Sequence, residues 1–238
     1  MTAEYSLDVL AIGAHPDDVE IGMGGTIAKY RQEGKNVMIV HLTEAELSSN
    51  GTVETRQLEA KKACETLDLP DPIQFQFPDR KLLDCREEAI DALVKVIRKF
   101  RPKLVFAPFH KDRHPDHGHC GELAKEACFS AGINKYLSGE TNDAYRPEAI
   151  YFYQINGIVT PDFLIDISRF VDLKYKALAC FKSQFLSQSG QVKTLLNSGF
   201  IEKLKARDHL LGGEVGVNYA EGFFSDKPIL IHNLLGDD

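Results

Sequence analysis

Apolar runs of about five residues recur along the chain, and each is followed by a longer stretch whose apolar residues have helical spacing. The runs fall at about Asp8–Ile12, Val37–Leu42, Ile73–Phe77, Leu104–Pro108, Ala149–Tyr153 and Phe163–Ile167. They lack polar alternation, which is the pattern of strands buried on both faces. Helices are expected at about Val19–Glu33, Val53–Leu67, Arg86–Phe100, His117–Ala131, Val171–Phe185 and Ile201–Leu211. In the third of these, Ile90, Leu93, Val94 and Ile97 mark one face. Strands alternating with helices of this length predict an α/β fold with a mainly parallel sheet and right-handed crossovers. The expected form is a Rossmann-like doubly wound sheet of order 3-2-1-4-5 with a smaller C-terminal α/β addition. The 238 residues are read as one domain, in which about 1–135 form the Rossmann-like half and about 136–238 cover its cleft.

Composition narrows the function. A net charge of -7 and a pI near 5.6 give no basic face for nucleic acid or an anionic membrane. No stretch approaches the length of a membrane span, and the first residues do not read as a signal peptide. The five cysteines are odd in number, scattered and without a C-x-x-C pair, which predicts a reducing cytoplasm and thiols that are not metal ligands.

Two places carry the chemistry. Ala14-His15-Pro16-Asp17-Asp18 directly follows the first apolar run, and Phe109 to His119 follows the fourth. The second stretch holds four of the eight histidines, with His114-Pro115-Asp116-His117 at its centre. Either alone is also open to the plainer reading of a turn with an Asp N-cap. In the expected topology, however, both lie at carboxyl ends of neighbouring strands where the winding reverses and a crevice opens. Imidazole and carboxylate together suit zinc or iron(II). The absence of G-x-G-x-x-G in the first turn argues against a dinucleotide site. Gly22, Gly24 and Gly25 come too late for it and suggest close packing of the helix on the sheet. His41, His209 and His232 read as satisfied or surface histidines, with His110 and His119 intermediate.

His15-Pro16-Asp17-Asp18 and His114-Pro115-Asp116-His117, each after a strand, resemble the PIG-L/LmbE-like zinc deacetylases, which remove acetyl from N-acetylglucosamine conjugates. The resemblance extends through Glu46 to Thr52, Arg56, Pro78-Asp79-Arg80, Asp112-Arg113, Ser130 to Gly132 and Tyr219 to Phe223. There the chain is similar to the branch acting on N-acetylglucosaminyl-malate in bacillithiol biosynthesis. The resemblance implies Zn2+ (or Fe2+) on His15, Asp18 and His117 with an open position for water, and Asp17 as general base. It further implies a protonated His114 facing the oxyanion, its ring held by Asp116. A malate aglycone would meet Arg56 and Arg113, with Asn50 on a sugar hydroxyl. Some relatives supply an oxyanion Tyr from a C-terminal loop; the matching position here is Phe200. The implied partner is a small amino-sugar conjugate, and the implied assembly a homo-oligomer, hexamers included. Deacetylation of a chitooligosaccharide or inositol conjugate is the alternative within enzymes. A metal- or sugar-binding protein without turnover is the other reading, against which the intact Asp17 argues.

Overall fold

The structure, a computed structural model, describes residues 6–139 and 142–231. Seven strands form one sheet: β1 (Val9–Gly13), β2 (Val37–His41), β3 (Ile73–Gln74), β4 (Leu104–Pro108), β5 (Ala149–Tyr153), β6 (Phe163–Asp166) and β7 (Ala220–Phe224). Their order is β3-β2-β1-β4-β5-β7-β6. The first five pair in parallel, and β7 runs antiparallel to both β5 and β6. The expected order 3-2-1-4-5 is therefore present and is extended by the antiparallel pair. Between them run α1 (Asp18–Gln32), α2 (Val53–Thr66), α3 (Arg86–Phe100), α4 (Pro115–Ala131), α5 (Val171–Leu178), α6 (Lys182–Phe185) and α7 (Phe200–Glu214).

The unbroken apolar runs have a direct physical cause. Leu10, Ile12, Val105, Ala107, Phe152 and Phe224 pack on one face with α3 and α4. Their neighbours Val9, Ala11, Phe106, Tyr153 and Phe223 pack on the other with residues of α1, α2 and α5. Successive side chains in a strand point to opposite faces, so a sheet covered twice needs apolar residues at every position.

Three expectations on element boundaries change. The third strand is only two residues long. The helix expected over Val171–Phe185 breaks into α5 and α6, and Ser183 at the start of α6 donates from its backbone N–H and hydroxyl to the Glu59 carboxylate of α2 at 2.7 and 2.6 Å. Strand β7 is additional to the expected elements, because Ala220-Glu221-Gly222 has poor strand propensity. Glu221 has a separate task. Helix α1 is interrupted at Met23 (φ -146°), and beyond the interruption Glu221 accepts the N–H groups of Gly25 and Thr26 at 2.9 and 2.7 Å. It caps the second half of the helix from another strand. Its charge is matched by Lys174 at 2.8 Å, which also binds Asp208 at 2.7 Å, all three fully buried.

The glycines of α1 allow the close approach expected of them. A Cβ on Gly22 would lie 2.0 Å from Tyr153 Cδ2, and one on Gly25 2.8 Å from Ile167 Cδ1. The Tyr153 ring cannot swing aside easily, since its hydroxyl donates to the Ile12 carbonyl at 2.7 Å. Overpacking of this kind costs about 1–3 kcal/mol. Gly22→Ala should lower Tm by roughly 2–12 °C in a thermal melt. An unchanged Tm would show that the helix has room to move off the sheet.

Candidate metal centre

The first cluster sits where β1 runs into α1. Pro16 fixes the turn, and Asp17 adopts a left-handed backbone conformation (φ 103°, ψ -24°) that Asp tolerates better than most residues. Asp18 then turns its carboxylate back, and its Oδ2 accepts the His15 backbone N–H at 2.8 Å. The second cluster sits where β4 runs into α4, with Pro115 at the first helical position. Because β1 and β4 are hydrogen-bonded neighbours, the two clusters meet over the end of the sheet.

There the Asp18 carboxylate lies between two imidazoles. Its Oδ1 is 3.1 Å from His117 Nε2, and its Oδ2 is 3.4 Å from His15 Nδ1. The ring of His114 stands 4.8 Å from that of His15 and 4.7 Å from that of His117. Ring nitrogens of His15, His114 and His117 all fall within 4.8 Å of one another. His15, Asp79 and Asp116 form a second such group on the far side of the His15 ring. Nδ1 of His114 is buried without a hydrogen-bond partner. Borderline nitrogen and hard oxygen donors in one buried cluster fit a divalent ion such as zinc or iron(II).

The electrostatics follow from burial and pairing. Burial pushes the Asp18 carboxyl up, but His117 and His15 more than reverse this and hold it well below the usual range. Burial pushes both partner imidazoles down; carboxylates reverse that too, Asp116 and Asp18 foremost for His15, which lies well above its ordinary value. For His117 it is Asp18 and Asp112, which bring it to about 9. Burial raises Asp17 to about 6, with Arg56 pulling down and Asp18 pushing up.

At His114 the surroundings oppose a protonated ring. Burial lowers its pKa, and the imidazoles of His15 and His117 lower it further, to about 4. It is neutral at neutral pH, so it can offer an N–H but not a positive charge. Asp116 does not hold its ring either. That carboxylate accepts the Arg80 N–H at 2.6 Å and lies 3.8 Å from His15 Nε2 and 3.6 Å from His119 Nδ1.

A cleft of about 340 Å³ opens over these residues, lined by the polar Asp17, Arg56, Asp79, Arg80 and Arg113 and by the apolar Leu47, Ile155, Leu195 and Leu196. Arg113 lines the cleft and is exposed. Arg56 is buried and already engaged: it donates to Asp17 Oδ2 at 3.1 Å, to the Pro16 carbonyl and to Ser48 Oγ at 2.8 Å. Asn50 is structural. Its amide exchanges two 2.9 Å hydrogen bonds with the Val192 backbone, and its carbonyl accepts from Gln184. Phe200 stacks on Phe185 at 5.9 Å, and the Tyr219 ring lies beside His209 at 5.3 Å. Among the described residues no tyrosine lines the cleft. His41 is neither satisfied nor exposed: it is fully buried at the end of β2, with no hydrogen bond to either ring nitrogen, and burial lowers its pKa to about 4. His209 is exposed and pairs with the Asn218 carbonyl at 2.8 Å, while His232 lies outside the described residues. All five cysteines are free thiols, and Cys120 packs in the core. Among the described residues no helix is long and apolar enough to cross a membrane.

Asp79 and Asp112 are the residues that motif reasoning passes over. Each sits in a short segment that carries the resemblance, yet each reaches a histidine: Asp79 Oδ1 is 3.2 Å from His15 Nε2, and Asp112 Oδ1 is 3.0 Å from His117 Nδ1.

A sheet of this topology with paired His/Asp turns at β1 and β4 defines an α/β protein with a candidate metal centre at the strand ends. Residues 10–128 match the family PIG-L, GlcNAc-PI de-N-acetylase, and the chain belongs to that family. It is similar to the diacetylchitobiose deacetylase of Thermococcus kodakarensis, 33% identical over 190 residues, which are 74% of this chain and 70% of that one. It is also similar to the probable N-acetyl-alpha-D-glucosaminyl L-malate deacetylase 2 of Bacillus subtilis, 28% identical over 189 residues, covering 74% and 82%. The crystal structure of the conserved protein TT1542 from Thermus thermophilus superposes with a TM-score of 0.86 at 37% identity, over 96% of this chain and 98% of that one.

Proposed function

We propose that this chain hydrolyses the acetamide of an N-acetylglucosamine conjugate at a zinc centre held by His15, Asp18 and His117, with N-acetylglucosaminyl-L-malate as the first candidate substrate. The observation that carries the reading is Asp17, a buried carboxyl held near neutrality at about 6 beside two histidines that share one carboxylate. When bound, the ion supplies Lewis acidity toward a water and toward the acetamide carbonyl. Asp17 accepts the proton of the attacking water and then delivers it to the departing amine, so that acetate and free glucosamine conjugate leave. Arg56 keeps Asp17 aimed into the cleft. His114, neutral, donates an N–H toward the oxygen of the acetamide as negative charge develops there.

Acetate release from N-acetylglucosaminyl-malate, chitobiose and N-acetylglucosamine, measured side by side, tests the reading. A higher kcat/KM for the malate conjugate is expected. The second reading, a chitooligosaccharide deacetylase, is favoured by the 33% identity to the archaeal enzyme, and a preference for diacetylchitobiose would select it. No acetate from any of these substrates would reject N-deacetylation of such conjugates.

The two arginines should separate. Losing one charge-assisted contact costs about 1.5–3 kcal/mol, or roughly ten- to a hundredfold. Arg113→Ala should lose that much kcat/KM on the malate conjugate and little on N-acetylglucosamine, which has no carboxylate to bind. Arg56→Ala should lose it on both, because its partners are Asp17 and Pro16. A loss confined to the malate conjugate in Arg56→Ala would return that residue to substrate recognition.

A further inference from the structure

Two candidate ligand groups share His15, one on each side of its ring. Asp18 lies on the Nδ1 side, and Asp79 and Asp116 lie on the Nε2 side; one group joins His15 to His114 and His117, the other to Asp79 and Asp116. We propose that Asp79 and Asp112 are positioning residues that fix the rings of His15 and His117, so that His15 presents Nδ1 and His117 presents Nε2 to the ion. The inference rests on the proposed metal centre.

The arrangement is the same at both histidines. One ring nitrogen of each faces the Asp18 carboxylate, and the opposite nitrogen faces a carboxylate from a loop. Both outer carboxylates are themselves anchored by backbone groups. Asp79 Oδ2 accepts the Leu47 N–H at 3.3 Å, and its own N–H donates to Glu46 at 2.6 Å. Asp112 accepts the N–H of His114 at 2.8 Å, and the backbone and side-chain N–H of Asn156 at 3.0 and 2.9 Å. A carboxylate held this firmly accepts the hydrogen bond of the ring N–H, fixes the tautomer and raises the basicity of the nitrogen that binds metal. The alternative, an ion between Asp79 and Asp116, is disfavoured on geometry. Asp116 is already bound to the Arg80 N–H at 2.6 Å and is fully buried away from the cleft that Asp17 enters.

The test uses the zinc-loaded full chain with 15N-labelled histidine. Assigned two-bond 1H–15N spectra should show His15 protonated at Nε2 and metal-bound at Nδ1, and His117 protonated at Nδ1 and metal-bound at Nε2. The opposite pattern at His15 would overturn the proposal without any variant. Competition with a chelator should show zinc affinity lowered about tenfold to a hundredfold in Asp79→Ala and in Asp112→Ala. Asp79→Asn, whose amide oxygen still accepts the ring N–H, should recover part of that loss. Wild-type affinity in both alanine variants would also overturn the proposal while leaving the centre intact. Failure of the centre itself would look different, because His15→Ala would then bind zinc as tightly as the wild type.

Discussion

Replacing Asp17 by Asn is expected to lower kcat by about a hundred- to ten-thousand-fold while metal content stays at that of the wild type. Asn has the shape of Asp and, like it, tolerates the left-handed backbone that the turn imposes (φ 103°). The hydrogen bond from Arg56 can pass to the amide oxygen, so the variant should fold and keep its cleft. It loses only the capacity to accept a proton, and general-base catalysis contributes within that range. Because the base acts in the transition state, kcat should carry the loss and KM should move little. Zinc content by elemental analysis and kcat by acetate release check the two halves separately. A near-native rate would place the base at another carboxylate of the cleft, which Asp79 also lines. A native rate is also incompatible with the role given to Arg56, whose buried charge has Asp17 as its carboxylate partner.

The sheet is legible because double-sided burial writes itself into five-residue apolar runs, and β1, β4 and β5 emerge close to their expected bounds. The two metal-motif turns are legible for a related reason. Polar residues directly after such runs must lie at strand ends, and the expected order makes β1 and β4 neighbours. What sequence does not show is what depends on partners far apart in the chain. Nothing local marks Glu221 as the cap of Gly25 and Thr26, or Glu59 as the acceptor at the start of α6. The same holds for Arg56, expected on a malate aglycone, whose partners Pro16 and Asp17 come from a distant turn. The surroundings of His114 are likewise not local: its nearest ring neighbours are the imidazoles of His15 and His117, and these lower its pKa together with burial.

Emptying the centre should have the second large effect, and its pH dependence is set by the same contacts. His15→Ala and His117→Ala are expected to retain the fold, since the core clusters contain neither residue, and to bring metal content and acetate release to background. In the metal-free wild type the histidines keep protons through Asp18, with His117 raised to about 9 and His15 also raised. A raised imidazole pKa contributes stability that is fully present below the unfolded value, about 6.5, and is lost as pH climbs through about 9. Zinc binds only the deprotonated rings, so uptake must expel those protons. Affinity should therefore rise about tenfold per pH unit for each proton expelled, across the same interval in which the metal-free protein weakens. The gain in Tm on adding zinc, which follows ligand excess over Kd, should grow from about pH 6.5 towards about pH 9. Titration calorimetry in buffers of different ionisation enthalpy should count about one to two protons released per ion near neutral pH. Uptake that releases none would mean that the ion does not displace the His15 and His117 protons, and the ligand set would have to be sought elsewhere.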